Sequence, residues 1–157
     1  MKRVFPLGVL MVALLTAPAA AQPPPPASGD AEQAAVRQAA LDYVEGIYDV
    51  QPERIERSVH PKLVKSGFYR KEAGEPYVEH PMTYDELVRL AANWNKEKKR
   101  NTSIKEVVVL DVLDQTASVK VIAAWGIDYM HLAKSDGTWK IVQILWQSHP
   151  PKTVTSR

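Results

Sequence analysis

Three side chains of this sequence are candidates for proton chemistry: Asp128, His60 and Tyr43. Asp128 stands in Ile127-Asp128-Tyr129-Met130-His131-Leu132, an alternation that puts it on one strand face with Met130 and Leu132. If that apolar face turns inward, the carboxylate loses hydration. Its pKa then rises toward the range a general base needs near neutral pH. The same residue also reads as a structural Asp bonded to a backbone amide or a tyrosine. His60 precedes Pro61 and either partners such an acid or caps and packs a helix end. Tyr43 either fills the core or points its hydroxyl into a hollow between helix and sheet. The aromatic set Tyr43, Trp94, Trp125 and Trp146, with Met130 and Gln143, suits an apolar pocket with a few polar groups or else fills the core. Tyr43, Trp94, Trp125, Asp128, Met130 and Gln143 are the candidate ligand contacts.

Other chemistries lack their residues. The chain has no Cys, which removes disulfides, iron–sulfur clusters, thiolate zinc sites and cysteine nucleophiles. Its 4 His are scattered without ligand spacing, so no metal site is expected. No glycine-rich phosphate loop or nucleophile motif appears, and no cofactor is expected.

Positioning these residues falls to a run of strands. Residues 104–113, a long central strand over residues 116–134, and residues 138–146 alternate with period two and are rich in β-branched and aromatic side chains. Asp136-Gly137 is a tight-turn signal. Gly126 inside the central strand predicts a bulge or bend that curves the sheet. On the last strand, Trp139, Ile141, Gln143 and Leu145 share one face. Trp146 falls on the other with Val142 and Ile144. That second apolar face predicts a homodimer formed sheet to sheet.

Helices precede the strands. Residues 31–48 carry an apolar stripe of Val36, Ala40, Tyr43, Val44 and Ile47, with Asp30 as the expected N-cap. Pro52 opens a short helix over residues 53–58. Weak strand character follows over residues 63–69. Thr83 and Glu86 form a capping box for a helix over residues 82–96, with Leu87, Leu90, Ala91 and Trp94 as its stripe. Helices grouped before strands imply an α+β fold: a curved antiparallel sheet forming a cone, covered on its concave face by the N-terminal helices.

The ends of the chain read differently. Lys2 and Arg3, an apolar stretch over residues 4–15 and Ala19-Ala20-Ala21 resemble a cleaved secretory signal over residues 1–21. The expectation is a periplasmic or secreted protein with no membrane attachment after cleavage. Residues 22–30, with Pro23 to Pro26, read as a stiff linker, residues 31–149 as one domain and residues 150–157 as a tail. Lys2 and Arg3 would leave with the leader, so the 20 basic residues become 18, matching the 18 acidic ones. A neutral chain argues against nucleic acid as a partner.

Taken together, Leu41-Asp42-Tyr43-Val44-Glu45-Gly46-Ile47-Tyr48, then Val59-His60-Pro61, then residues 127–142 with Asp136-Gly137-Thr138-Trp139-Lys140-Ile141, resemble the putative lumazine-binding family of the nuclear-transport-factor-2-like superfamily. The resemblance implies the cone fold. It also implies a superfamily that holds acid–base enzymes, such as ketosteroid isomerase, scytalone dehydratase and polyketide cyclases, beside non-catalytic binding and dimerising modules. Three readings follow: a non-enzymatic module for a small apolar or aromatic ligand, an isomerase, dehydratase or cyclase using Asp128 with Tyr43 or His60, or a dimeric adaptor with a filled cone.

Overall fold

A computed structural model describes residues 29–72 and 74–150. The expected leader, residues 22–28 of the expected linker and residues 151–157 lie outside them. The order is α1 (Gly29–Tyr48), α2 (Pro52–Ser58), β1 (Val59–Tyr69), β2 (Val78–Glu79), α3 (Tyr84–Ala91), β3 (Lys105–Val112), β4 (Thr116–Ala123), β5 (Gly126–Ser135) and β6 (Thr138–Gln147). The strands form one curved, unclosed six-stranded sheet in the order β2-β1-β6-β5-β4-β3. Helices α1 and α3 cover its concave side.

The expected stripe of α1 is the core. Val36, Ala40, Tyr43, Val44 and Ile47 are all buried, and α1 packs on β3, β4 and β6. Asp30 already lies in the first turn of α1 and is not its N-cap. The capping box of α3 forms as expected, with the Thr83 side chain accepting from the Glu86 N–H and the Glu86 carboxylate accepting from the Thr83 N–H. The α-helix ends at Ala91, before residue 96. The Asn93 side chain donates to the Arg89 carbonyl, a local bond that competes with helix continuation, and the Asn95 side chain donates to the distant Tyr48 carbonyl at the end of α1.

Four features of the sheet correct the sequence reading. First, β1 spans eleven residues and begins at Val59 rather than at residue 63, so that it takes in His60-Pro61 directly after α2 ends at Ser58. Second, β1 pairs with β6 in parallel, so the sheet is not wholly antiparallel. Third, the long central strand is a hairpin. Ala123 pairs with Gly126 across a turn at Ala124 and Trp125. Gly126 is needed there because its φ is 152° and a Cβ would sit 2.0 Å from the Gln147 carbonyl oxygen. Fourth, β6 is bulged. Ile141 pairs with Leu132 but Gln143 with His131, leaving Val142 as the extra residue. The bulge turns Ile144 and Trp146 inward beside Trp139 and Ile141, and it sends Gln143 and Leu145 out to solvent. At Asp136-Gly137 both residues have positive φ, 49° and 76°, as a two-residue hairpin turn requires.

Candidate functional site

The site is built under the closed end of the β4–β5 hairpin. Asp128 lies three residues beyond Trp125 of the turn and faces inward with Met130 and Leu132, as the alternation predicts. It is fully buried. One oxygen, Oδ2, accepts from the Trp125 indole N–H at 2.8 Å. The other, Oδ1, has no hydrogen bond and lies 3.6 Å from the Lys65 ammonium. Lys65 comes from β1, where Leu63, Lys65 and Gly67 point inward. Its Nζ donates to the Tyr43 hydroxyl of α1 at 3.1 Å. It also lies 5.6 Å and 5.5 Å from the ring centroids of Tyr43 and Trp146.

Burial governs how these groups titrate. It raises the Asp128 pKa, and neither the Lys65 charge nor the Trp125 bond offsets it. Burial lowers the Lys65 pKa despite the facing carboxylate. Burial, with the Asp128 charge nearby, pushes the Tyr43 hydroxyl well above its usual value, so it stays a protonated phenol.

Above Lys65 and Tyr43 opens a cavity of about 470 Å³. Trp94, Trp125 and Trp146 wall it, with Met82, Leu87 and Leu90 from the α3 side. The wall is rigid. Trp125 meets Tyr43, Tyr48 and Trp94 edge-on at 6.1, 5.5 and 5.5 Å. The Tyr48 hydroxyl accepts from the Ala124 N–H at 2.7 Å and donates to the Ile104 carbonyl, pinning the turn that carries Trp125. Trp146 rests on Gly67, where a Cβ would come within 2.2 Å of its indole.

The structure brings together Tyr43, Trp94 and Trp125, all of which line the cavity. Asp128 does not reach it, because Trp125 and Lys65 lie between. Met130 is core packing beyond the cavity. Asp128 and Met130 thus fall short of the expected contacts, and two more candidates lie elsewhere. Gln143 is exposed on the opposite sheet face, a consequence of the β6 bulge. His60 stays outside the cavity on the irregular part of β1, where its Nδ1 accepts from the Lys62 N–H at 3.0 Å. It does not meet Asp128. Conversely, Lys65 belongs to the site and sequence reasoning missed it, and Trp146, which parity along the last strand placed on the outer face, lines the cavity. Among the described residues no group of three His, Cys, Asp or Glu side chains could hold a metal.

The family described as "Putative lumazine-binding" matches residues 31–147. No curated protein matches the chain. Among solved structures, a protein of unknown function from Silicibacter pomeroyi, described as NTF-2 like, is 16% identical with a TM-score of 0.62, covering 78% of this chain and 100% of its own. Another of unknown function from Shewanella baltica, described as NTF2-like, is 15% identical with a TM-score of 0.59, covering 80% and 99%. A ketosteroid isomerase-like protein from Erwinia carotovora is 16% identical with a TM-score of 0.52, covering 76% and 98%. At these identities the likeness concerns the fold.

Proposed function

The chain belongs to the putative lumazine-binding family, with the cone fold of NTF2-like proteins, and on that premise we propose that it is an exported, non-enzymatic module that binds a small molecule with a flat apolar body. One observation carries this reading. A hollow of about 470 Å³ is walled by three indoles, while the carboxylate best suited to proton transfer is sealed beneath its floor. Aromatic walls with a few fixed polar groups are the usual make-up of small-molecule pockets. A filled adaptor does not fit a hollow of this size.

Native mass spectrometry of protein purified without refolding tests the reading. The expected spectrum carries a small organic adduct that is lost on denaturation and absent from Leu90→Trp, which fills the cavity. Bare protein in both cases counts against binding. A second reading, acid–base catalysis, draws on Lys65, whose lowered pKa and bond to Tyr43 put a transferable proton at the cavity floor. Conversion of the released adduct by fresh protein would favour that reading.

We also propose a homodimer through the outer sheet face. Its support is no longer Trp146, which turns inward, but the exposed Tyr129, Leu145, Val64 and Phe68 on adjacent strands. Light scattering at micromolar concentration should give the dimer mass; a monomer would refute it.

A further inference from the structure

The cavity is charged on one side only. Its basic lining comprises Lys65, Arg70, Lys71 and Arg100, with His80 and His149, and no Asp or Glu lines it. The chain as a whole has 20 basic and 18 acidic residues, so composition does not account for that bias.

Several cations elsewhere are paired. Arg54 and Arg57 meet Asp42, Lys105 meets Glu45, and Lys134 meets Glu32. Deep in the cavity Lys65 is likewise matched by Asp128. At the mouth, among the described residues no carboxylate lies in ion-pair range of Arg70, Lys71 or Arg100, and whereas other unmatched cations such as Lys62 and Arg89 are scattered over the surface, these three converge on one cavity.

Both arginines are nevertheless held in place. The Arg70 guanidinium lies 4.5 Å from the Tyr77 ring centroid, and its backbone N–H donates to Ser148 Oγ at 3.2 Å. The Arg100 guanidinium lies 4.7 Å from the ring centroid of Trp94, itself a cavity wall, and the Arg100 backbone N–H donates to Asn95 Oδ1 at 3.0 Å. A guanidinium resting on an aromatic ring keeps its N–H edge available for a second partner. Cations gathered at the rim of a low-dielectric cleft focus a positive field into it.

We infer that the ligand is an anion: a flat aromatic body that enters among the indoles, bearing a carboxylate or similar acidic group that stays at the mouth against Arg70, Lys71 and Arg100. This rests on the cavity being a binding site. It adds the ligand's charge and its orientation, head outward and ring inward, because the deep lysine is already neutralised and the rim is not.

Two fluorescent probes of one skeleton separate the claims: 8-anilinonaphthalene-1-sulfonate, and N-phenyl-1-naphthylamine, which lacks the sulfonate. The expected result is that the sulfonate binds about tenfold more tightly, the worth of one charge-assisted hydrogen bond. Its affinity should fall as salt rises from about 0.02 M to about 0.5 M, whereas the neutral probe's should not. Lys71→Glu and Arg100→Glu should each weaken the sulfonate about tenfold and change the neutral probe by less than about twofold. Lys120→Glu serves as the control, since Lys120 lies on the outer face by Tyr129, and it should alter neither. Equal binding of the two probes overturns the inference and leaves the pocket standing. So does an equal effect of Lys120→Glu, or a loss of both probes in Lys71→Glu. Binding of neither probe overturns the pocket reading and this one with it.

Discussion

Two buried carboxylates, Asp42 and Asp128, sit in the same molecule, each against cations, and titrate in opposite directions. Asp42, on α1, accepts from Gln38 at 3.1 Å, from Arg54 Nε and Nη2 at 3.1 and 3.0 Å, and from Arg57 Nε and Nη2 both at 2.7 Å. Burial alone would raise its pKa, but Arg57, Arg54 and Gln38 together hold it below the usual value. Asp128 has one hydrogen bond and one lysine at 3.6 Å, and burial prevails. The number and geometry of donors decide the outcome. Arginine forks saturate a carboxylate, whereas a lysine is a single point of charge. Asp42 therefore staples α1 to α2. Asp128 is left half satisfied under the cavity floor, where it balances Lys65.

Breaking the second pair should have the largest effect. Lys65→Met leaves Asp128 buried without its cation and should cost about 3–5 kcal/mol, read from urea unfolding. Asp128→Asn should also destabilise by leaving Lys65 unmatched. The double variant should cost clearly less than the two single costs added, because the uncompensated charge disappears with its partner. Strict additivity would mean that the two groups do not interact. Asp42→Asn should cost less, about 1–2 kcal/mol, because Arg57 is half exposed and stays solvated. A loss as large as that of Lys65→Met would erase the contrast.

The smallest effect is one of sign. A raised folded pKa makes the Asp128 contribution fully present below the unfolded value near ~3.9 and lost as pH rises through the folded pKa. The lowered pKa of Asp42 does the reverse, adding stability above ~3.9 that is lost as pH falls through the folded pKa. From neutral pH down to about pH 4, wild type should therefore gain stability relative to Asp128→Asn. Below about pH 4 it should lose stability relative to Asp42→Asn. Parallel pH profiles for the two variants would refute the assignment.

What could be read from the sequence was periodic and local. The α1 stripe, the Thr83–Glu86 box, the Asp136-Gly137 turn and the inward parity of Asp128 each lie within one turn or one strand. The misreadings came from distant partners. Ala124-Trp125 lacks turn-forming residues, and its hairpin is fixed instead by the Tyr48 hydroxyl from α1. One extra residue in β6 reversed the parities of Gln143 and Trp146, and nothing near Val142 announces a bulge. Lys65 was passed over because a lysine between Val64 and Ser66 reads as solvent-facing. Its inward placement depends on Asp128 and Tyr43, neither adjacent in sequence. The available signal was its shared parity with Leu63 and Gly67, the other inward residues of this part of β1.

The chain's own tryptophans give the most direct test that the cavity is where a flat ligand sits. Trp94, Trp125 and Trp146 line it, while Trp139, at the other end of β6, donates its indole N–H to Glu32 at 2.6 Å. In a nitrogen-15 NMR titration with N-phenyl-1-naphthylamine, the indole signals of Trp94, Trp125 and Trp146 should move together and saturate, and that of Trp139 should stay in place. Movement of Trp139 alone, or of all four signals equally without saturation, would contradict the account.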